Sequence, residues 1–243
     1  MRKDIAAVRG SSTVRRVLEA ELVAARERGS VHPRVIDVGG GSGVWAVPLA
    51  AEGCEVTVVE PNPNALATLH RRAEEEGVSD RITVVADDTD ALLDRVAPGS
   101  ADLVLAHGLL EVVDDPAAVI AAIAATLSAD GAVSVLVANR HAAVLHRALA
   151  GKFDEARQLL ADPNGILPDD GDPLLRRFDS AGLQRMLAAA GLDIAVLQGD
   201  GVVVDSVPDT GDTDLADFEL EAAQIPPLRD IASRLHALAR RAG

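Results

Sequence analysis

The stretch RVIDVGGGSGVWA, residues 34–46, passes from a β-branched run straight into four glycines within five positions, Gly39, Gly40, Gly41 and Gly43. Residues 34–38 fit a strand buried in a parallel sheet. Glycine lacks a Cβ, so the chain after that strand turns tightly and brings its N–H groups against whatever binds there. The helix expected over 43–52 presents further unsatisfied N–H groups at its start. In an open parallel sheet the ligand site lies beyond the carboxyl ends of the strands, where strand order reverses. The stretch therefore predicts a strand, a ligand-binding turn and a helix, in that order.

Working outward, short β-branched runs alternate with helical patterns. Strands are expected at 55–59, 82–86, 101–106 and 132–138, with helices at 13–28, 62–76, 89–95 and 116–127. Strands separated by helices imply right-handed crossovers and a sheet covered on both faces. After residue 138 the rhythm changes to a helix at 140–150, a Pro/Gly/Asp-rich connection ADPNGILPDDGDP at 161–173, a helix at 179–190 and the apolar stretch LDIAVLQGDGVVVDSV. Long connections in compact domains are lids, binding loops or linkers. We read residues 1–243 as one domain: a ligand-binding core at 1–138, a substrate-side insertion or lid at 139–190, and closing strands and helix at 191–243.

Hydrophobic residues make up 48% of the chain but aromatics only 2%, with no Tyr, so the core is built from Ala, Val, Leu and Ile. The 38 acids outnumber the 23 Lys and Arg, and the formal charge of −15 weighs against polyanionic partners. Residues 193–221 hold nine acids and no Lys or Arg, whereas 139–157 carry Arg140, Arg147, Lys152 and Arg157 with His141 and His146 against Asp154 and Glu155. No apolar run reaches the roughly 18–20 residues of a membrane span, and MRKDIAAVRGSS lacks the apolar stretch of a signal peptide. A cytoplasmic protein without a membrane partner is expected. The single cysteine, Cys54, has neither an internal disulfide partner nor a CxxC neighbour, and reads as a small residue leading into a strand; no metal site is expected. Nothing in the residues sets an oligomeric state.

GSGVWA (41–46) satisfies the G-x-G-x-x-A dinucleotide pattern, yet its surroundings point elsewhere. Asp37 lies two residues ahead of Gly39, where a carboxylate repels a pyrophosphate and attracts a cation bearing an amino group. Glu60 closes the second strand, in position to accept both hydroxyls of a ribose. The third strand runs into ADDTD, which places Asp88, Thr89 and Asp90 where an adenine edge would be read.

Taken in order, Asp37-x-Gly39-Gly40-Gly41-x-Gly43, Glu60, Asp88-Thr89 and ADLVLAHGLLEVVDDP (101–116) resemble the successive motifs of class I S-adenosylmethionine-dependent methyltransferases. LSADGAVSV (127–135) resembles the turn and fifth strand that follow them, so the likeness covers roughly the first 140 residues. The resemblance implies a Rossmann-like, doubly wound α/β sheet of about seven strands, mostly parallel with an antiparallel C-terminal strand and helices on both faces. It also implies S-adenosylmethionine as cofactor and S-adenosylhomocysteine as product. The glycine loop would cradle the methionine part, Glu60 the ribose and the Asp88–Asp90 loop the adenine. His107 would be a further cofactor contact, and Arg15 (or its neighbour Arg16) would reach the cofactor carboxylate.

A narrower likeness follows. NRHAAVLHRALAGKFDEA (139–156), with Asn139, His141, His146, Gly151, Phe153 and Asp154 in that spacing, resembles a segment of the bacterial enzymes that methylate the carboxyl of 5-carboxymethoxyuridine at the tRNA wobble position. His107, FELEA (218–222) and SRLHALARR (233–241) extend it. The likeness implies substrate contacts for Asn139, Arg140, His141 and His146 and makes tRNA a partner, against the acidic balance. It also places a closing strand near 235–240, where propensity alone favours helix. Those enzymes carry a lysine-rich run where this chain has residues 161–173.

Methyl transfer from a sulfonium is an in-line displacement that needs donor and acceptor held collinear and dry. A carboxylate arrives ionised and needs no base; otherwise His107 is the one candidate base. The alternatives are a methyltransferase of a small metabolite or natural product and, from another class, a non-catalytic cofactor-sensing or partner-binding module.

Overall fold

A computed structural model describes residues 12–167, 174–203 and 213–242. Residues 1–11, the 168–173 part of the long connection and the end of the 192–207 stretch beyond Val203 lie outside the described residues.

Seven strands form one sheet: β1 Arg34–Val38, β2 Glu55–Val59, β3 Ile82–Val85, β4 Ala101–His107, β5 Leu127–Ala138, β6 Leu192–Asp200 and β7 Arg234–Arg241. Their order is β3-β2-β1-β4-β5-β7-β6. The pairs from β3 through β5 are parallel, and β7 runs antiparallel to both its neighbours. Strand order thus reverses between β1 and β4, beside the glycine turn. The expected doubly wound sheet with an antiparallel closing strand is what the chain forms.

Helices α1 Ser12–Glu27, α2 Ala46–Ala51 and α3 Pro63–Glu76 cover one face, with Val14, Leu18, Leu22, Leu49 and Leu69 packed on Val35, Val58, Leu105 and Leu136. The short α4 Leu92–Arg95, α5 Pro116–Thr126 and α8 Ser180–Ala189 cover the other, where Leu92, Ile120, Ile123, Leu183 and Leu187 meet Ile36, Val104 and Val135. Helix starts are written in the sequence. Asn62 before Pro63 accepts from the N–H groups of Asn64 and Ala65, and Asp115 before Pro116 accepts from those of Ala117 and Ala118. Each such cap is worth about 1 kcal/mol.

Four details depart from the sequence reading. The helix expected from 43 begins at Ala46, because Gly43 has φ +77° and cannot join a right-handed helix. The segment 89–95 splits into a 3₁₀ turn at Thr89–Ala91 and α4. β5 starts at Leu127 rather than 132, since a register shift against β4 lets its first residues pair before the bulge. After α6 Arg140–Leu149 the chain makes a second helix, α7 Phe153–Ala161, in a region read only as basic sequence and loop. Two further helices, α9 Thr213–Ala222 and α10 Pro226–Arg229, precede β7. Among the described residues no helix is long and apolar enough to cross a membrane. Cys54 is buried, and burial pushes its thiol up to about 11, as its reading as a packing residue requires.

Candidate active site

The glycine turn closes over the end of β1. Gly39, Gly41 and Gly43 adopt φ of +71°, +55° and +77°, a region only glycine enters freely. Gly40 is required for a different reason: a Cβ there would stand 2.7 Å from the Asp37 carboxyl carbon and 2.9 Å from Val58 Cγ1. The turn is tied to β2, with the Gly39 N–H donating to the Val59 carbonyl at 2.8 Å and the Gly41 N–H to Glu60 Oε2 at 3.1 Å. Glu60 also accepts from the Asn62 N–H through Oε1 at 2.8 Å, which fixes its carboxylate beside the turn.

Asp37 is buried beneath this loop, and its Oδ2 has no hydrogen-bond partner among the described residues. Burial, with the Glu60 charge added, pushes its carboxyl up to about 7. A cation bearing N–H donors relieves both deficits, since it partners the orphaned oxygen and favours the ionised form.

Beyond the tips of β1 to β4 lies a cleft of about 350 Å³. Gly39, Glu60, Asp88, Thr89 and Asp90 line one side; Gly108, Leu109, Val112, Val113 and Val119 supply apolar wall. Five acids line it (Glu60, Asp88, Asp90, Asp114, Asp115) and no Lys or Arg does among the described residues. Phosphates would meet repulsion here, so the charge of the cleft suits a sulfonium nucleoside and not a dinucleotide. Asp88 caps the turn above it, accepting from the Thr89 N–H at 2.6 Å, while Asp87 is held by Arg95. S-adenosylmethionine is compatible with these residues: Asp37 and the glycine turn would take its amino-acid end, Glu60 the ribose and the Asp88–Asp90 turn the base.

Other expected site residues fall differently. His107 ends β4, one residue before cleft-lining Gly108, its ring edge-on to Trp45 at 5.0 Å. Its Nε2 is 2.8 Å from Ser134 Oγ, and its Nδ1 is buried without a partner among the described residues. Arg15 is exposed on α1 and does not line the cleft. Asn139 and Arg140 follow β5 at the rim and are held by the fold. Asn139 caps α6 through the His141 N–H and donates to the Asp230 and Ala232 carbonyls. Arg140 is buried, donating to Asp179 Oδ2 at 2.6 Å and to the Leu159 and Leu160 carbonyls, so it joins α6, α7 and the start of α8. His141 is half-buried, its ring facing Arg140, and His146 is exposed.

Two residues at the rim were not singled out from the sequence. Arg234, at the start of β7, donates through Nε to buried Asp200 at 2.7 Å, and its Nη2 is buried without a partner among the described residues. Glu111 accepts the Ala138 N–H at 2.6 Å and leaves Oε2 unpartnered; burial pushes its carboxyl up to about 7 despite the nearby Arg177 and Arg234. Burial, with smaller effects of His236 and Arg234, holds the His107 imidazole well below the usual histidine range. Asp37, His107, Glu111, Arg140 and Arg234 carry the buried unpartnered side-chain atoms found among the described residues. All five stand at the carboxyl edge of β1, β4 and β5. Buried polar groups are normally paired, so orphans gathered on one rim mark where a ligand completes them.

Segment 174–179 straps this edge: the Leu175 N–H donates to the Glu111 carbonyl, Arg176 to the Leu110, Val113 and Asp114 carbonyls, and the Phe178 N–H to the Ala138 carbonyl.

A sheet in this order, with a glycine turn and acidic cleft at the reversal point, defines a class I S-adenosylmethionine-dependent methyltransferase. The family model described as "Methyltransferase domain" matches residues 11–197, and the chain belongs to that family. It is 32% identical over 131 residues to the tRNA 5-carboxymethoxyuridine methyltransferase of Escherichia coli (strain K12), a match covering 53% of this chain and 49% of that protein. It is also 32% identical over 167 residues to the ubiquinone biosynthesis O-methyltransferase of Thiobacillus denitrificans (strain ATCC 25259 / T1), covering 68% and 67%. The chain spans about half the length of the first of these relatives. Among solved structures, the magnesium protoporphyrin IX methyltransferase of Synechocystis PCC 6803 with bound S-adenosylhomocysteine superposes with a TM-score of 0.60 at 14% identity, over 96% of this chain and 86% of that one. At that identity the likeness speaks for the fold alone.

Proposed function

We propose that this methyltransferase esterifies a carboxylate, that of a modified uridine at the tRNA wobble position. The observation that carries the reading is the buried Arg234 Nη2, without a partner among the described residues, on the sheet edge where β7 meets the end of β5, past the cofactor cleft. A guanidinium N–H is a recognition group for a carboxylate. The bound cofactor supplies an electrophilic methyl on a sulfonium; the protein's part is to hold the acceptor oxygen in line with it and exclude water. Ionised at neutral pH, a carboxylate gives up no proton, so the rim needs no base. Glu111, whose carboxyl holds its proton up to about pH 7, adds little negative charge against such an acceptor below that pH.

The α6–α7 hairpin leads away from the same edge. It presents Leu149 at 77% exposure and Phe153 at 64%, flanked by exposed His146, Lys152 and Arg157. An exposed aromatic among cations suits an unstacked base and its phosphates. The 32% identity to the tRNA enzyme supports the same substrate.

A second reading, a small hydroxylated or carboxylated metabolite as acceptor, is favoured by the −15 charge and by the likeness to the ubiquinone-pathway enzyme. Incubation with methyl-labelled cofactor and either wobble-hypomodified bulk tRNA or a small-molecule extract separates the two. Label in tRNA, released by mild alkali as expected of an ester, supports the first. Label only in the extract overturns it.

A further inference from the structure

We propose that Gln198, on the far edge strand, fixes the proton of His107 on Nδ1 through a hydrogen-bonded line of His236 and Ser134, making His107 a donor to the acceptor and not a base. Four adjacent strands each contribute one member: Gln198 from β6, His236 from β7, Ser134 from β5 and His107 from β4. The contacts are Gln198 Nε2 to His236 Nδ1 at 3.0 Å, His236 Nε2 to Ser134 Oγ at 2.8 Å, and Ser134 Oγ to His107 Nε2 at 2.8 Å. Register places all four on the face covered by α1 to α3: Gln198 pairs with His236, His236 with Leu136, Leu136 with His107, and Ser134 with Leu105.

The direction follows from the Gln198 amide, placed with its nitrogen toward His236, together with a count of protons. His236 is wholly buried, and burial pushes its imidazole down to about 3, so it is neutral, with one donor and one acceptor nitrogen. The Gln198 amide nitrogen only donates, which makes His236 Nδ1 the acceptor and Nε2 the donor. Ser134 takes that hydrogen bond and has a single O–H, which it gives to His107 Nε2. The proton of neutral His107 is left on Nδ1, the atom that has no partner among the described residues. A ring so arranged offers N–H at the rim and has no free lone pair there.

The hydrogen-bonded line stands without any assignment of substrate; only its consequence, that the acceptor must arrive ionised, rests on the reading above. The test is the long-range ¹H–¹⁵N spectrum of the ligand-free protein near pH 8, with the His107 and His236 signals assigned by His107→Asn and His236→Asn. We expect His107 with bare Nε2 and protonated Nδ1, and His236 the reverse. Replacing the head of the line, Gln198→Glu, leaves a group that only accepts once ionised, so at pH 8 every bond turns round and His107 is expected to move its proton to Nε2. In Ser134→Ala, Gln198→Glu should no longer move it. An Nε2–H His107 in the unaltered protein overturns the proposal without recourse to any variant, and a His107 indifferent to Gln198→Glu removes Gln198 from control of it. The expected tautomers in an enzyme that labels only hydroxyl acceptors would leave the line intact and sink the carboxylate reading instead.

Discussion

A Cβ on Gly40 would lie 2.7 Å from the carboxylate of Asp37, so the second glycine of the turn keeps that acid in place. Gly40→Ala is therefore expected to push the carboxylate aside and weaken S-adenosylhomocysteine binding at least ~10-fold while costing about 1–3 kcal/mol of stability as overpacking does. Calorimetric titration alongside thermal melts checks both. Gly43→Ala acts differently. Its Cβ would meet Leu69 Cδ1 at 2.2 Å at a φ of +77°, and the loss should appear chiefly in the melt.

Asp37 makes stability depend on pH with a sign that can be worked out. Its folded pKa of about 7 lies above the unfolded carboxyl value, so between roughly pH 4 and 7 the folded state holds a proton the unfolded state has released. Stability then falls as pH rises through that window, by a few kcal/mol in order of magnitude at about 1.4 kcal/mol per unit. Asp37→Asn should be less steep over that window than the unaltered protein in urea titrations at pH 5 and pH 8. A cation bound to ionised Asp37 should tighten as pH rises to about 7, with proton release seen as a buffer-dependent binding heat.

Arg234 joins buried Asp200 to the rim. Truncation would take from that buried acid its Arg234 cation, leaving it the Thr13 hydroxyl at 2.9 Å, so the informative variant is Arg234→Lys, which keeps one charge and removes Nη2. We expect the acceptor KM to rise ~10-fold or more with S-adenosylhomocysteine affinity unchanged. An unchanged KM would place acceptor recognition elsewhere.

Phe153 is exposed enough that Phe153→Ala should leave stability within about 0.5 kcal/mol. If a base stacks on it, tRNA affinity should fall by about 1–3 kcal/mol, read as a binding curve at fixed salt. Lys152→Ala together with Arg157→Ala should reduce the salt slope by nearly two.

The parallel half of the sheet was legible because its cues are local: β-branched runs, caps such as Asn62 and Asp115, and glycines whose φ only glycine tolerates. The cleft followed, since Gly39, Glu60 and Asp88–Asp90 all sit at strand ends that converge at the reversal point. β7 was not legible locally. Its Ala, Leu and Arg favour helix, and it is a strand because it lies between β5 and β6 with its middle buried. Arg140 read as a substrate contact in a basic segment, yet its partner Asp179 is 39 residues away and draws it inside. Ser134, His236 and Gln198 gain meaning only through contacts 27 to 102 residues apart. No periodicity reports such pairs.

The central claim is that a sulfonium nucleoside lies across the tips of β1 to β3 with its amino group at Asp37 and its ribose at Glu60. A crystal of this protein soaked with S-adenosylhomocysteine tests it most directly. Density over the Gly39–Gly43 turn, with an ammonium on Asp37 Oδ2 and both ribose hydroxyls on Glu60, is the expected result. The same compound bound away from that edge, or a cleft that takes a dinucleotide's phosphates in its place, would contradict it.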